Sequence, residues 1–205
     1  MTPILLLRDR RGASAAEFAL VLPLLLLMLF GIIDAGRFAW EFNKAEKATQ
    51  VGARVAVVTN SVPSGLVGEA YVGKTVGGVT LTQGDVIPAG ALGEIKCTRA
   101  LCTCVTAPCP TTLGTIDTTN FDTVLLPRMQ YMKPGITAAN VELHYTGSGL
   151  GFAGDPNGME IAPIVTVKLT GVQFKPITSL LFATINMPDF RTSLTAEDSS
   201  GSQSN

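Results

Sequence analysis

The sequence predicts an α+β protein: a long N-terminal transmembrane helix that continues into a small extracytoplasmic domain built on an antiparallel sheet. Three observations carry this expectation. Residues 13–33 form an apolar run long enough to span a bilayer. Small and apolar residues then recur in steps of three and four as far as Ala56. From Thr59 the chain turns to glycine, threonine, valine and proline, with short alternating segments between turn residues. At 205 residues there is room for one ordinary domain plus appendages. With 15% charged residues, a formal net charge of -1 and no basic stripe interleaved with aromatics, the footprint of a nucleic-acid binder is missing.

Residues 1–12 form a basic leader, in which Arg8, Arg10 and Arg11 stand against Asp9. The span, 13–33, follows, and beyond it the flank mixes both signs: Asp34, Arg37, Glu41, Lys44, Glu46 and Lys47. Excess arginine before the span places the N-terminus in the cytoplasm and the residues beyond about 35 outside, by the positive-inside rule. A cleavable secretory signal has the same basic-then-apolar order. Its apolar region is about 7–15 residues long, however, and it ends at a small-x-small site, whereas this run is longer and passes into helical sequence. Pro23 falls inside the span, where proline removes a helical hydrogen bond and kinks many helices.

Glu17 is the one charged residue in 13–33, and it lies five residues beyond Gly12. A charge at the centre of a spanning helix costs about 2.5–3.5 kcal/mol on insertion scales, and less near an end, so its place asks for a reason. Proximity to the interface is one. Another comes from resemblance. The string RRGASAAEFALVLPLLLLMLFGIIDAGRFAWEFNKAEKATQVGARVA, residues 10–56, resembles the prepilin-like subunits of bacterial type IV pilus systems, and in particular the TadE-like proteins of tight-adherence pili. The resemblance implies that a prepilin peptidase cuts after Gly12, that Ala13 becomes the new N-terminus, and that Glu17 with its neighbour Phe18 forms the Glu-aromatic step of that branch. It also implies a bacterial inner-membrane protein with a periplasmic domain, and as partners the peptidase, other prepilin-like subunits and pilus assembly proteins. The spacing has a physical rationale, because a carboxylate one turn along, on the same helix or a packed neighbour, can neutralise the ammonium that cleavage creates. Without the resemblance, the same anchor suits a signal-anchored binding or sensory domain unrelated to pili.

After the span, residues 34–58 read as an amphipathic helix. Ala35, Phe38, Phe42, Ala45, Thr49, Gly52 and Ala56 form its seam, which suits packing on its own domain or on sister subunits. Residues 59–197 make the exported domain. Short strands and turns are expected at its start, around 79–82, and a short helix at 121–132 interrupted near Pro127. Strands are expected at 141–145, at 164–169, where Val165, Val167 and Leu169 share a face, and at 190–197; 177–185 is a short apolar segment. The polar tail, 198–205, has the composition of disorder.

Cys97, Cys102, Cys104 and Cys109 cluster on a loop, 97–109, in a compartment that permits disulfides. A bond between Cys102 and Cys104 would strain so short a loop, which leaves Cys97–Cys102 with Cys104–Cys109, or the crossed pairs. A four-thiolate zinc site is the rival, but its usual C-x2–4-C knuckles do not match this spacing. No catalytic, cofactor or metal residues are expected, and no small-molecule substrate. His144, the single histidine, sits in a strand; no nucleophile elbow, phosphate loop or HExxH occurs. Gly147-Ser148-Gly149-Leu150-Gly151 lacks the lysine of a phosphate loop, and Asp155-Pro156-Asn157-Gly158 lacks the repeated acids of a calcium loop.

Overall fold

The structure, a computed structural model, describes residues 13–156, 158–180 and 183–196. The leader with Gly12, and the tail, lie outside them. A single helix, α1 (Ala13–Val57), runs through Pro23 without a break in its assignment. The main sheet has five strands, all antiparallel, in the order β4 (Cys102–Thr106), β3 (Glu94–Cys97), β5 (Val141–Thr146), β6 (Ile164–Leu169) and β9 (Phe190–Thr195). The architecture is α+β, as the sequence predicts. Contacts divide the chain into two compact units: one holds α1 as far as Glu41 together with Gln173–Asn186, and the other holds Phe42–Val172 with the residues from Met187.

Alternation in β5 and β6 makes one face of the sheet apolar, because side chains two apart along a strand share a face. Val141, Leu143 and Tyr145 lie opposite Leu169, Val167 and Val165, and all six are buried. Ile95 and Cys97 extend that face through β3, and Phe190 extends it through β9. The C-terminal part of α1 covers it. Ala45, Ala48, Thr49, Gly52, Ala53 and Ala56 are buried, so the small seam lies against the chain's own sheet. Thr49 and Thr192 share a hydroxyl hydrogen bond of 3.0 Å, and the rings of Phe42 and Phe190 meet edge-on at 4.8 Å. Position 52 is tight: a Cβ there would stand 3.1 Å from Val167 Cγ1 and 2.8 Å from Met129 Sδ, so that Met129 would have to shift. The buried Tyr145 hydroxyl donates to the Ser61 carbonyl, and burial pushes its pKa well above the ordinary value.

Elsewhere the structure differs from the sequence expectation in instructive ways. The cysteine segment is a hairpin of the main sheet, β3–β4, with Cys97 itself buried in the core. The strand near 79–82 is only two residues long: β1 (Thr75–Val76) and β2 (Val79–Thr80) pair across Gly77-Gly78, whose φ of 59° and 84° are what a two-residue hairpin of this twist demands. The helical stretch at 118–132 changes character next to Pro127. After α3 (Thr118–Asn120) a π-type turn (Phe121–Leu125) shifts the register and leads directly into α4 (Leu126–Met132). Pro127 thereby falls in the first turn of α4, where a missing N–H leaves no bond unmade. A short α2 (Ser64–Val67) completes the helices.

Candidate membrane and assembly segment

The N-terminal stretch of α1 is apolar on every side and none of it is covered. Phe18, Leu20, Leu24, Met28 and Ile32 each expose more than three-fifths of their surface. At about 1.5 Å per residue the 45-residue helix is about 68 Å long, while a hydrocarbon core of about 30 Å takes only about 20 residues. The helix from Ser14 is long and apolar enough to cross a membrane, and its remainder is left for the folded domain. This arrangement fits a single-pass membrane protein.

Of the residues singled out for processing, Gly12 lies outside the described residues. Ala13 begins α1, and Glu17 and Phe18 are exposed one turn on. Ala13 and Glu17 are four apart on one helix, the spacing at which side chains neighbour each other. The structure brings no other described residue to Glu17.

A feature that sequence reasoning missed lies at the far end of the apolar run. Two further hairpin strands, β7 (Gln173–Phe174) and β8 (Ile185–Asn186), flank a loop whose first turn is a 3-10 helix (Ile177–Leu180). Asp34, almost fully buried, accepts hydrogen bonds from the N–H groups of Ile177 and Thr178 at 2.7 and 3.0 Å and from the Thr178 hydroxyl at 2.8 Å. Arg37 pairs with the same carboxylate at 3.0 Å and lies 5.5 Å from the centre of the Phe174 ring, which packs edge-on against Phe38. Asp34 and Thr178 are 144 residues apart, and the only local signal is an aspartate placed immediately after an apolar run.

The four cysteines form Cys97–Cys102 and Cys104–Cys109, one of the two pairings the spacing left open. Beyond the hairpin turn Arg99 grips Asp122 through two guanidinium nitrogens, which ties the turn to the helical stretch and holds the Asp122 carboxyl below its usual value. Among the described residues no group of three or more His, Cys, Asp or Glu could hold a metal ion.

On the sheet's polar face His144 Nδ1 lies 2.7 Å from Glu94 and Nε2 lies 3.3 Å from Glu142, which also binds Lys96 at 2.7 Å. Burial alone would raise the Glu142 pKa, but the hydrogen bonds from Lys96 and His144 and the Lys96 and Lys168 charges bring it below its ordinary value. This is a cross-strand ion cluster. His144 lines none of three cavities, the largest of about 420 Å³ beside Asn60, Ser64 and Asp117.

The family model of TadE-like proteins matches residues 12–54. Over that segment the chain is similar to TadE-like proteins. The match begins at the proposed cut and ends at Arg54 within α1, so the TadE-like segment takes in the apolar helix, the Asp34 clamp and most of the seam that packs on the sheet. It supports a component associated with tight-adherence pili. No curated protein and no solved structure matches the chain.

Proposed function

We propose that this chain is a minor, prepilin-like subunit of a tight-adherence pilus assembly system, acting by helix–helix assembly and not by chemistry. Residues 13–33 anchor it in the bacterial inner membrane, with the N-terminus cytoplasmic and the α+β domain periplasmic. A prepilin peptidase cuts after Gly12, and Glu17 answers the amine freed on Ala13, either within its own helix or on a packed sister helix. Other prepilin-like subunits and pilus assembly proteins are its partners, and the processed chain can leave the membrane with them.

One coincidence carries this reading: the TadE-like match starts at Gly12, and the uncovered apolar helix that follows bears Glu17 as its single charge. An intramembrane carboxylate is expensive unless something pairs with it, and the N-terminus created by cleavage supplies that partner. The oxidising compartment implied by this topology also suits the two disulfides. The test is the N-terminal residue of the protein recovered from cells with and without the cognate peptidase. The mature chain should start at Ala13 only when the peptidase is present, and Gly12→Arg should block the cut. An intact Met1 in peptidase-positive cells refutes the proposal.

A further inference from the structure

The uncovered surface of α1 continues past the end of the apolar run. One face of the helix passes through Leu29, Ile33, Gly36 and Trp40 in steps of four and three, and all four residues are exposed. Phe38 lies on the opposite side, where it packs on Phe174 at 5.4 Å between ring centres. Trp40, the single tryptophan of the chain, leaves 65% of its surface uncovered, whereas tryptophan is on average highly buried. One turn before it, a Cβ on Gly36 would meet nothing within 4 Å, so the space beside the ring is open. Beyond Trp40 no large apolar side chain of α1 is exposed as far as Val57. The two charged residues between Ile33 and Trp40 are paired, since Asp34 holds Arg37 at 3.0 Å and the N–H groups of Ile177 and Thr178 besides. Length gives this face its meaning. From Ala13 to Trp40 the helix rises about 40 Å, while a bilayer measures about 30 Å across its hydrocarbon and about 40–45 Å with both polar layers. With 14–33 as the hydrocarbon segment, the Trp40 Cα lies about 10 Å beyond it; with Glu17 left at the cytoplasmic boundary the segment shifts to 18–37 and the distance falls to about 5 Å. Helical side chains lean toward the N-terminus, which brings the indole over the turn before its own Cα and closer to the bilayer. In both placements the ring falls in the outer polar layer.

We propose that the Trp40 indole lies in the headgroup layer on the periplasmic side of the membrane, covered by lipid and not by a partner protein, so that Ala13 and Trp40 mark the two faces of the bilayer. The inference rests on residues 13–33 spanning the membrane. Tryptophan suits that layer because its ring is apolar and its N–H is polar. Continuity with the span argues for lipid as the occupant. Leu29, Ile33 and Trp40 share one face, and the medium that covers the first two passes from acyl chains to headgroups over the next two turns. The pairing of Asp34 with Arg37 leaves no isolated charge at that boundary to oppose the placement.

The test uses the full chain in vesicles of phosphatidylcholine and phosphatidylglycerol and needs no label, because tryptophan emission reports Trp40 alone. The decisive measurement is made on the unsubstituted protein and so does not depend on a variant that folds. Lipids carry a nitroxide either on the headgroup or near the end of an acyl chain. The headgroup nitroxide should quench Trp40 several-fold more than the deep one, and iodide should quench it less than an exposed site of the sheet domain, reported by Tyr131→Trp in a Trp40→Phe background. Leu24→Trp in the same background reports on the span and should show the reverse depth order. Trp40 emission quenched by iodide as strongly as at Tyr131→Trp, and by neither nitroxide, overturns the proposal. So does emission shielded from iodide yet untouched by either nitroxide, which would mean that protein covers the ring. Stronger quenching by the deep nitroxide also overturns it, since the ring would then lie in the hydrocarbon. If Leu24→Trp escapes both nitroxides, the spanning reading itself has failed, and the Trp40 proposal falls with it.

Discussion

Replacing Gly52 by alanine sets two effects of opposite sign against each other. In a helix interior alanine is favoured over glycine by about 0.8–1.0 kcal/mol, and the backbone at 52 is ordinary helix, so this gain is available. Against it stands the sheet. The new methyl would lie 2.8 Å from Met129 Sδ, 3.1 Å from Met129 Cγ and 3.1 Å from Val167 Cγ1, whereas comfortable carbon contacts begin at about 3.5 Å. Met129 and Val167 are both fully buried, so neither can swing into solvent. Overpacking of this kind costs about 1–3 kcal/mol, which leaves Gly52→Ala destabilising by about 0–2 kcal/mol.

The double-mutant cycle with Met129→Ala separates the two effects. Met129→Ala alone should cost about 2–5 kcal/mol through the cavity it leaves. In that background the Met129 part of the clash is gone and only Val167 Cγ1 at 3.1 Å still crowds the methyl, so Gly52→Ala should range from neutral to stabilising by about 1 kcal/mol. The expected coupling is about 1–3 kcal/mol. Urea unfolding of the detergent-solubilised full chain, followed by the near-UV signal of buried Tyr71 and Tyr145, measures it. The reasoning is refuted if Gly52→Ala is stabilising in the parent protein, or if the two substitutions add without coupling.

Three further perturbations test other parts of the fold. Glu142 has a folded-state pKa below its unfolded one, so its contribution is present above the unfolded value and is lost as pH falls through the folded value; the stability difference between the parent and Glu142→Gln should shrink toward zero through the acid carboxylate range, and a difference independent of pH would contradict the ion cluster. Replacing Cys104 and Cys109 by alanine opens a loop with a sequence separation of 5, for which chain entropy gives a loss of about 2 kcal/mol, read as a lower urea midpoint. Asn120 is buried with neither amide atom partnered, so Asn120→Leu should raise stability by about 1–3 kcal/mol; a loss of stability would show that the amide has a role the packing does not reveal.

What could be read from the sequence was whatever depends on period. The helix from residue 13 and the strands at 141–146, 164–169 and 190–195 carry their pattern within themselves, as Val165, Val167 and Leu169 show. Pairing between distant segments was not legible. β9 lies beside β6 although the β7–β8 hairpin separates them along the chain, and Glu94–Cys97 carries no readable strand signal because four residues are too few to show alternation. Pro127 marks a change of helical register that the sequence shows only as an interruption. A proline forbids a helical bond only at a given register, and the π-type turn before it changes that register. The Asp34 clamp left no sequence signal beyond position, since the groups it binds are mainly backbone N–H, which every non-proline residue possesses.

The change along α1 also narrows where assembly can take place. From Ala45 the small seam is buried against the chain's own sheet, with Thr49 bonded to Thr192 and Gly52 in contact range of Val167. A seam already occupied within the chain is not free to receive a sister helix unless the domain opens, and opening would expose the apolar sheet face that Leu143, Tyr145, Val165 and Val167 share. Residues 14–33 face the opposite situation, since they are apolar all round and the folded chain covers none of them. Lipid or other apolar helices must cover that surface, and between helices in lipid, packing and polar pairing supply the attraction that water would otherwise supply. Under the proposed function, contacts between α1 and its partners therefore fall to residues 14–33, where Glu17 is the one side chain able to give them a fixed register.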